Sequence, residues 1–551
     1  MGSGTSFRGR PAWNTTAVAM GAALLLASAA CSAETGGAAA GGPPRNGGTL
    51  RLAIDKEPEC LDPHQSPTES GRMLARPVVD SLVYQDRRGR FHPWLATRWT
   101  VSPDQLTYTF HLRRDVTFTD GTRFDAAAVV ANLDHVVAPE TKSLLAAGLI
   151  SSYRSARAAD AHTVEVTLKK PDSGFLGALA LPNLGIESPK TLKDSAASLC
   201  AKIVGTGPFR TERGLVPQQG IEYVKNPAYD WAPGSSSHTG PARLDRVEVK
   251  VAPDNAARFG ALTSGQVDAV TALSPTNVRT MKNMAGFTLH SVPYPGVNYS
   301  YWPNTANGPL ADPVVRKAVR TGINWAQIVK NVYFGVYEGA RGVLSPATPG
   351  SDPSLAGAYA HDQAAAGRLL DKAGWTARDA AGFRTKNGKR LTVRHLWSDG
   401  SIANLAVQVQ SAAKQLGVEF VEQNVDGGTF VKRLLAGDYE LIDTSFSQPG
   451  PEVLRVLFGA ENIPTPERGV SNNMARYDSP AVQAAFDRAL KARDQAAQFR
   501  VYAEVQRRVT EDAAVFPIYA PLSTLSARST VRAVEFAADG SPSFYGLWLA
   551  S

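Results

Sequence analysis

The chain has 551 residues, of which 43% are hydrophobic and 20% charged, and its formal net charge is +8. That length exceeds what one hydrophobic core usually supports, so we expect at least two folding units. The composition is that of a globular protein and excludes global disorder. The basic residues are scattered, with no cluster of Lys and Arg interleaved with aromatics, so we expect no binding to nucleic acid.

The first 30 residues have the organisation of a signal peptide. Arg8 and Arg10 precede the uncharged run 17–30, AVAMGAALLLASAA. This run is too short to span a bilayer but fits the apolar core of a secretory signal. No later run is long and apolar enough to span. We therefore expect export and the removal of residues 1–30.

Two cleavage sites compete at the end of this signal. Residues 28–30 (SAA) suit an ordinary signal peptidase, whereas Cys31 stands where bacterial lipoproteins are acylated. The segment resembles a lipobox, although Ser28 replaces the Leu that usually lies three residues before the Cys. Residues 32–48 are rich in Gly, Ala and Pro and are typical of a tether. We therefore favour a lipoprotein whose tether, residues 31–48, holds the folded body at the outer face of the cell membrane through Cys31.

The two other cysteines are then left as a pair. In an oxidising compartment a disulfide between Cys60 and Cys200 is the natural inference, and two buried thiols are the alternative. Cys60 lies in a polar segment beside Pro58, not in an apolar run. This context favours the disulfide.

Strands and helices alternate along the chain. Alternating apolar residues predict strands at 50–54, 106–112, 164–168 and 247–251. Capping residues before Pro predict helices at 314–323 and 481–493, which begin after Asp312 and Ser479. A Gly at the end predicts helices at 363–373 and 402–416, which end at Gly374 and Gly417. The fold class is therefore α/β or mixed α+β. Since no flexible linker is visible, we expect two lobes joined by strands that cross between them more than once.

Several sequence blocks resemble one known family. The most specific block is 94–99 (WLATRW) followed by 106–122 (LTYTFHLRRDVTFTDGT), which leads into a predicted helix at 126–137. Further blocks follow in the family's order: 61–64 (LDPH), 205–209 (GTGPF), 226–229 (NPAY), 261–268 (ALTSGQVD), 309–318 (PLADPVVRKA) and 369–374 (LLDKAG). From about residue 47 to its end, the chain is similar to the extracytoplasmic solute-binding proteins of the peptide/nickel class, family 5.

The resemblance implies a type II periplasmic-binding-protein fold with two lobes and an inserted subdomain. The expected parts are lobe I (residues 49–80, 205–297 and 523–551), the inserted subdomain (81–204) and lobe II (298–522). It also implies a binding protein and not an enzyme, which captures an oligopeptide or peptide-like solute and delivers it to an ABC permease and its ATPase. We expect a monomer without cofactor or metal.

Three segments have the composition of a ligand pocket, because each mixes aromatic rings with short polar groups. The candidate ligand-binding residues are His64, Gln65, Thr68 and Glu69; Asn298, Tyr299, Tyr301 and Trp302; and Trp397, Asp399, Phe446 and Gln448. An aromatic core beside a surface loop remains the alternative for each of them.

One departure from the family bears on the ligand. Its peptide binders usually carry an acidic residue just after the strand that begins near Tyr439, to hold the peptide's amino group. Here residues 443–449 read DTSFSQP, and Asp443 substitutes only if the alignment shifts. We therefore expect recognition by stacking and neutral hydrogen bonds, such as those of Gln448. An oligosaccharide, a modified peptide and a metal chelate stay open.

Two rival functions compete with solute import. Ser411 and Lys414 match the Ser-x-x-Lys pattern of penicillin-recognising enzymes, but they fall within a predicted helix and lack the accompanying Lys-Thr-Gly and Ser-Asp-Asn segments. The nine His residues show no metal-ligand spacing.

A peptide-sensing or adhesive surface lipoprotein of the same fold cannot be separated from a transporter component by sequence.

Overall fold

The computed structural model describes Met1 and residues 42–143, 145–398 and 400–550. Residues from Pro44 onward form one compact unit, which contains all the helices and strands of the described chain. The signal peptide and Cys31 lie outside the described residues. Within the described part, no helix combines the length and the apolar character needed to cross a bilayer.

The described chain is built from short strands and helices. The strands are β1 (Thr49–Ile54), β2 (Val83–Gln85), β3 (Phe91–Pro93), β4 (Ala96–Val101), β5 (Thr107–Leu112), β6 (Tyr153–Asp160), β7 (Thr163–Leu168), β8 (Phe209–Val216), β9 (Gly220–Lys225), β10 (Arg246–Val251), β11 (Ala269–Thr271), β12 (Phe287–Pro293), β13 (Gly296–Pro303), β14 (Glu338–Gly339), β15 (Ala377–Arg378), β16 (Arg384–Lys386), β17 (Lys389–Arg390), β18 (Thr392–Trp397), β19 (Glu419–Asn424), β20 (Leu441–Ser447), β21 (Phe516–Ala520), β22 (Leu522–Arg528), β23 (Val531–Arg532), β24 (Glu535–Phe536), β25 (Pro542–Ser543) and β26 (Trp548–Leu549). The α-helices are α1 (Glu69–Ala75), α2 (Ala126–Val137), α3 (Ala146–Leu149), α4 (Phe175–Ala178), α5 (Ala196–Ala201), α6 (Asn255–Ser264), α7 (Pro275–Met281), α8 (Pro313–Gly322), α9 (Trp325–Tyr333), α10 (Gln363–Lys372), α11 (Ala403–Leu416), α12 (Gly427–Ala436), α13 (Val453–Phe458), α14 (Pro480–Leu490) and α15 (Gln495–Glu511).

A seven-stranded mixed sheet has the order β12-β22-β11-β1-β10-β9-β8. The central strand β1 runs parallel to both β10 and β11, and the outer pairs are antiparallel. The alternating residues Leu50, Leu52 and Ile54 are buried in the core of this sheet, beside Val247 and Val249. The strand predictions for 50–54 and 247–251 are confirmed.

A four-stranded antiparallel sheet, β4-β5-β7-β6, lies in the chain between β1 and β8. Helix α2 contacts β6 and β7 of this sheet, and it starts and ends at the predicted residues. Gly121, in the turn after β5, has φ +85°, which the Asp-Gly turn requires. Phe110, Val164 and Val166 are fully buried in the core between this sheet and its helices. The strand predictions at 106–112 and 164–168 are therefore confirmed too.

A six-stranded mixed sheet has the order β14-β21-β13-β20-β18-β19. It is covered by two apolar cores, one that includes α8, α9 and α11 and another that includes α13, α14 and α15. Every residue of its strand β13 is buried. This strand therefore packs against protein on both faces.

The chain crosses between the seven-stranded and six-stranded sheets twice. It leaves β12 at Pro293 and enters β13 at Gly296, and it leaves β21 at Ala520 and enters β22 at Leu522. The backbone N–H of Tyr294 donates to the carbonyl of Pro521 at 3.0 Å, so the two crossings are paired. Two crossings without a flexible linker are what the sequence predicts.

The helix boundaries predicted at Asp312, Ser479, Gly374 and Gly417 are confirmed, but Ser479 does not cap its helix with its side chain, and that helix ends at Leu490 and not at 493. Asp312 accepts from the N–H of Val314, while Gly374 and Gly417 have φ of +86° and +87°. Ser479 makes no capping hydrogen bond. Its hydroxyl contacts Tyr477 instead, and the helix start is fixed by Pro480, whose φ suits the first turn.

The predicted disulfide between Cys60 and Cys200 is present. It ties the segment after β1 to α5, and the N–H of Leu61 donates to the carbonyl of Cys200 at 2.9 Å. Nearby, a Cβ on Gly205 would meet the carbonyl oxygen of Val78 at 2.1 Å. The 205–209 block therefore serves backbone packing, as expected of an architectural motif.

Candidate functional site

Three adjoining cavities form a groove between parts of the chain that belong to different sheets. We name them the cleft cavity (about 730 Å³), the linking cavity (about 140 Å³) and the outer cavity (about 500 Å³). The linking cavity shares Met73 and Pro542 with the cleft cavity, and Gln85, Leu181 and Pro449 with the outer cavity. An elongated solute therefore has a continuous surface to occupy.

The cleft cavity lies where strands of the two large sheets end. Ile54 and Thr271, the last residues of the parallel strands β1 and β11, line one side. Tyr299 of β13, Asp443 of β20 and Tyr519 of β21 line the other. Open α/β sheets generally bind ligands outside the carboxyl ends of their strands, and this cavity has that position.

Carboxylates dominate the charge of the cleft cavity. Its lining includes Asp55, Glu57, Glu59, Glu69 and Asp443, against the single basic residue Lys56 among the described lining residues. A cleft lined by one sign of charge concentrates ligands of the opposite sign. The cavity is therefore suited to a positively charged group.

Glu69 stands at the start of α1, which Thr68 caps by accepting from the N–H of Gly71. The hydroxyl of Tyr294 donates to the Glu69 carboxylate. Glu69 is exposed to solvent in the open cleft, but the surrounding cleft walls desolvate its carboxylate and raise the pKa of Glu69 to about 7. The charge of Arg72 opposes the rise.

At the cleft wall, His395 lies between two carboxylates. Its Nδ1 is 2.7 Å from Glu422 Oε2 and its Nε2 is 3.1 Å from Asp443 Oδ1. Burial alone would lower the pKa of His395, but the hydrogen bonds and negative charges of Asp443 and Glu422 outweigh it and raise the pKa to about 9. The imidazole is therefore charged at neutral pH and balances part of the acidic wall.

Five tyrosines line the cleft, and four of them form a cluster of rings beside these acids. Tyr519 stacks on Tyr299 with ring centroids 4.7 Å apart and on Tyr337 at 4.9 Å. Tyr333 is tilted against Tyr519 at 4.8 Å. The faces of aromatic rings attract cations, so rings and carboxylates favour the same kind of ligand group.

The outer cavity carries another buried acid. Gln448 lines it together with Glu452, whose Oε1 accepts from Gln498 Nε2 at 2.8 Å. Burial raises the pKa of Glu452 to about 7, although the hydrogen bond from Gln498 opposes this. An acid thus does lie near Gln448, four residues later in the chain. The sequence analysis looked for an acid directly after the strand that begins near Tyr439, so it missed Glu452, which lies beyond the turn that follows this strand.

Four of the candidate residues line the groove. Thr68, Glu69 and Tyr299 line the cleft cavity, and Gln448 lines the outer cavity. Asp399 lies outside the described residues.

The remaining described candidates make contacts within the fold and line none of the three cavities. Asn298 donates to the carbonyls of Gly342 and Leu344, and the Trp397 indole donates to Glu422 at 3.1 Å. The others line none of the three cavities: His64, Gln65, Tyr301, Trp302 and Phe446. Tyr301 and Trp302 have no exposed surface. Aromatic composition indicated a pocket there, but the strand carrying these residues is buried on both faces.

Sequence reasoning missed Tyr333, Tyr337 and Tyr519. Tyr333 is the last residue of α9 and Tyr337 lies beyond the helix, so no helical spacing linked the two rings. Tyr519 alternates with buried Ile518 along β21.

Ser411 and Lys414 are exposed on α11 and line none of the three cavities.

Solved structures with the same fold are two-lobed solute-binding proteins. NikA from Brucella suis, in complex with Fe(III)-EDTA, is 25% identical, with a TM-score of 0.79 over 91% of this chain and 100% of NikA. DppA from Helicobacter pylori, in complex with the peptide STSA, is 24% identical, with a TM-score of 0.73 over 92% of this chain and 98% of DppA. The chain therefore has the type II periplasmic-binding-protein fold.

The sequence comparisons agree. The glutathione-binding protein GsiB of Escherichia coli (strain K12) is 27% identical over 471 residues, which is 85% of this chain and 88% of GsiB. The profile of the bacterial extracellular solute-binding proteins, family 5 Middle, matches residues 90–458. The chain belongs to this family. It is an extracytoplasmic binding protein, not an enzyme, and the solute-binding component of an ABC importer.

Proposed function

We propose that the groove binds a peptide-like solute whose free amino group enters the cleft cavity. The observation that carries this proposal is the cleft lining, in which the carboxylates of Glu69 and Asp443 lie among five tyrosines. An ammonium group is attracted by both. The linking and outer cavities then accommodate the rest of the solute.

One comparison favours a peptide-like ligand and another favours a metal chelate. GsiB is named for binding glutathione, which is a small peptide. NikA was solved with Fe(III)-EDTA, an anionic chelate. An anionic chelate would meet Asp55, Glu59 and Glu69 at this cleft and be repelled, so we place it second.

We also propose a division of the chain and an anchor. Lobe I comprises residues 49–80, 205–297 and 523–551, residues 81–204 are inserted in it, and lobe II comprises 298–522. The lobes close on the solute about the crossings at Tyr294 and Pro521. A lipid on Cys31 and the tether 31–48 hold the protein, as a monomer, near the permease and ATPase.

The ligand test uses the tag-free mature protein. Native mass spectrometry identifies what copurifies, and calorimetry then compares a tripeptide with its N-acetylated form. We expect acetylation, Glu69→Gln and Asp443→Asn each to weaken binding at least tenfold. The matched control is Glu140→Gln, which removes an exposed acid outside the three cavities. Equal binding of the acetylated peptide would show that the amino group is not recognised.

The anchor is tested separately. Cys31→Ser should release the protein from cells into the medium, and radioactive palmitate should label only the parent. Retention of the variant at the membrane, with an unlabelled parent, would contradict the lipid. A sensing or adhesive role in place of import is distinguished by deleting the neighbouring permease genes and measuring uptake of the identified solute.

A further inference from the structure

A cluster of three buried ligand-type side chains lies away from the groove. The ligand atoms of Asp62, His64 and Glu187 are all within 4.8 Å of one another, and all three side chains are buried. Asp62 and His64 follow the disulfide cysteine Cys60, and Glu187 follows the β-bridge residue Ile186. Sequence spacing could not reveal this cluster, because its members come from distant segments.

His64 is oriented as a metal-ligating histidine is. Its Nε2 lies 2.9 Å from the carbonyl oxygen of Gly185, which can only accept, so Nε2 carries the hydrogen. The lone pair of neutral His64 is therefore on Nδ1, which lies 3.8 Å from Glu187 Oε1 and 2.9 Å from His135 Nδ1. Metal-bound histidines typically donate their other N–H to a backbone carbonyl or a carboxylate.

Glu187 supplies an independent observation. Its side chain has no exposed surface, no N–H or hydroxyl group of the described residues donates to its carboxylate, and its carboxyl group lies within hydrogen-bonding reach of the Asp62 carboxyl group. A buried polar group without a partner is costly, and native proteins rarely leave one unsatisfied. Two carboxyl groups this close, with no donor from the described residues between them, need a shared proton or a cation to be stable together.

We infer that Asp62, His64 and Glu187 bind one divalent cation of the zinc type, with half-buried His135 as fourth ligand. Two imidazoles and two carboxylates suit Zn²⁺, whereas Ca²⁺ and Mg²⁺ prefer oxygen ligands. Tetrahedral Zn²⁺ ligands at about 2.0–2.1 Å are about 3.3 Å apart, so the three cluster atoms, which lie within 4.8 Å of one another, and His135, which lies outside that cluster, must move inward to complete the site. His135 provides the route from the surface.

The cation would join the segment around His64 to the segment around Glu187, close to the disulfide that already joins Cys60 to Cys200. The first segment continues directly into Thr68 and Glu69 at the cleft. The metal therefore acts as a structural brace for one edge of the binding groove and not as a part of the ligand.

The test uses tag-free mature protein treated with EDTA and then dialysed against Zn²⁺. We expect one Zn²⁺ per chain by elemental mass spectrometry, a higher melting temperature with Zn²⁺ than with Mg²⁺ or Ca²⁺, and at least tenfold weaker binding in Glu187→Gln and in His64→Gln. X-ray absorption should show nitrogen and oxygen ligands with imidazole scattering. Because Glu187→Gln conserves shape, its fold is checked by circular dichroism.

The wall of the groove also has carboxylates, with His395 behind Asp443, and these groups could bind Zn²⁺ as well. Asp443→Asn is therefore the control that distinguishes binding at the cluster from binding at the groove. Exposed His361→Gln is the control for nonspecific histidine binding. Both controls should keep the Zn²⁺. Folded wild-type protein that binds no Zn²⁺, or binding lost in Asp443→Asn but kept in Glu187→Gln, would overturn the inference.

Discussion

The hydroxyl of Tyr299 donates a hydrogen bond to the carboxylate of Asp443 across the neighbouring strands β13 and β20. The other oxygen of Asp443 faces His395. One carboxylate thus joins an aromatic ring of the cleft to a buried imidazolium. The arrangement fixes Asp443 in the cleft wall but leaves it partly neutralised, so recognition of an ammonium group depends on several carboxylates and rings together.

The ion pairs of His395 should make stability depend on pH. The folded pKa of about 9 lies above the unfolded value of 6.5, so this stabilisation is fully present below about pH 6.5 and is lost as the pH rises through 9. A shift of this size corresponds to a loss on the order of 3 kcal/mol. Urea unfolding from pH 6 to 10 should show a steeper fall for the wild type than for His395→Gln.

Exposed His361→Gln is the matched control for that measurement and should keep the wild-type pH dependence. Parallel curves for wild type and His395→Gln would mean that His395 is not charged in the folded protein.

Glu69 should make ligand binding depend on pH in the opposite direction. With a pKa of about 7 it is ionised at pH 8 and mostly protonated at pH 6. The charged groups that act on it are Arg72, Asp539, Asp55 and Lys56. The affinity for an amino-bearing peptide should fall about tenfold from pH 8 to pH 6 in calorimetry, as the fraction ionised does.

Glu69→Gln should flatten that dependence, while Glu140→Gln should leave it unchanged. If the slope persists in Glu69→Gln, another group in the cleft is responsible.

Tyr519 stands at the centre of the tyrosine rings, and its ring, not its hydroxyl, should carry the binding energy. Tyr519→Ala should weaken binding by about 1–3 kcal/mol, because it removes the ring on which Tyr299 and Tyr337 both stack and so loosens the rings that line the cleft. Tyr519→Phe keeps the ring and should stay within about threefold of wild type. Equal losses in both variants would point to a hydrogen bond from the hydroxyl instead.

Gly296 at the first crossing should not tolerate a side chain. Its φ is +111°, and a Cβ would lie 2.0 Å from the carbonyl oxygen of Phe446. Gly121 also has a positive φ, +85°, but no atom lies within 4 Å of the Cβ that an alanine would add. The variant Gly121→Ala therefore measures the cost of the backbone conformation alone. Gly121→Ala should cost about 1–2 kcal/mol, and Gly296→Ala clearly more. Similar melting temperatures for the two variants would show that the crossing adjusts freely.

The elements of the fold were largely predictable because local rules determine them. Alternation at 247–251 and the Gly417 cap depend only on neighbouring residues, and both are as expected. The residues that line the groove were harder to predict. Alternation along a strand shows which residues share a face of the sheet, but not whether that face packs against protein or lines a cavity. Tyr299 and Trp302 belong to one fully buried strand, yet only Tyr299 lines the cleft.

Contacts between distant segments explain the rest. Tyr333, Tyr337 and Tyr519 meet only after the six-stranded sheet has formed, and His64 meets Glu187 only when the segment after β1 packs against the four-stranded part. The helix after Ser479 begins where predicted, but the Ser479 hydroxyl contacts Tyr477, so its side-chain cap does not form. A single sequence does not show which distant residues come into contact.

The position of β22 has a consequence for how the protein reaches its working compartment. Although it is formed by residues 522–528, near the end of the chain, β22 lies inside the seven-stranded sheet, between β12 and β11. That sheet cannot be completed until almost the whole polypeptide has been synthesised and has emerged. The signal peptide predicted at residues 1–30 implies passage through a membrane pore from the N-terminus, and this delay would keep the first half of the chain from forming a finished body too wide to pass.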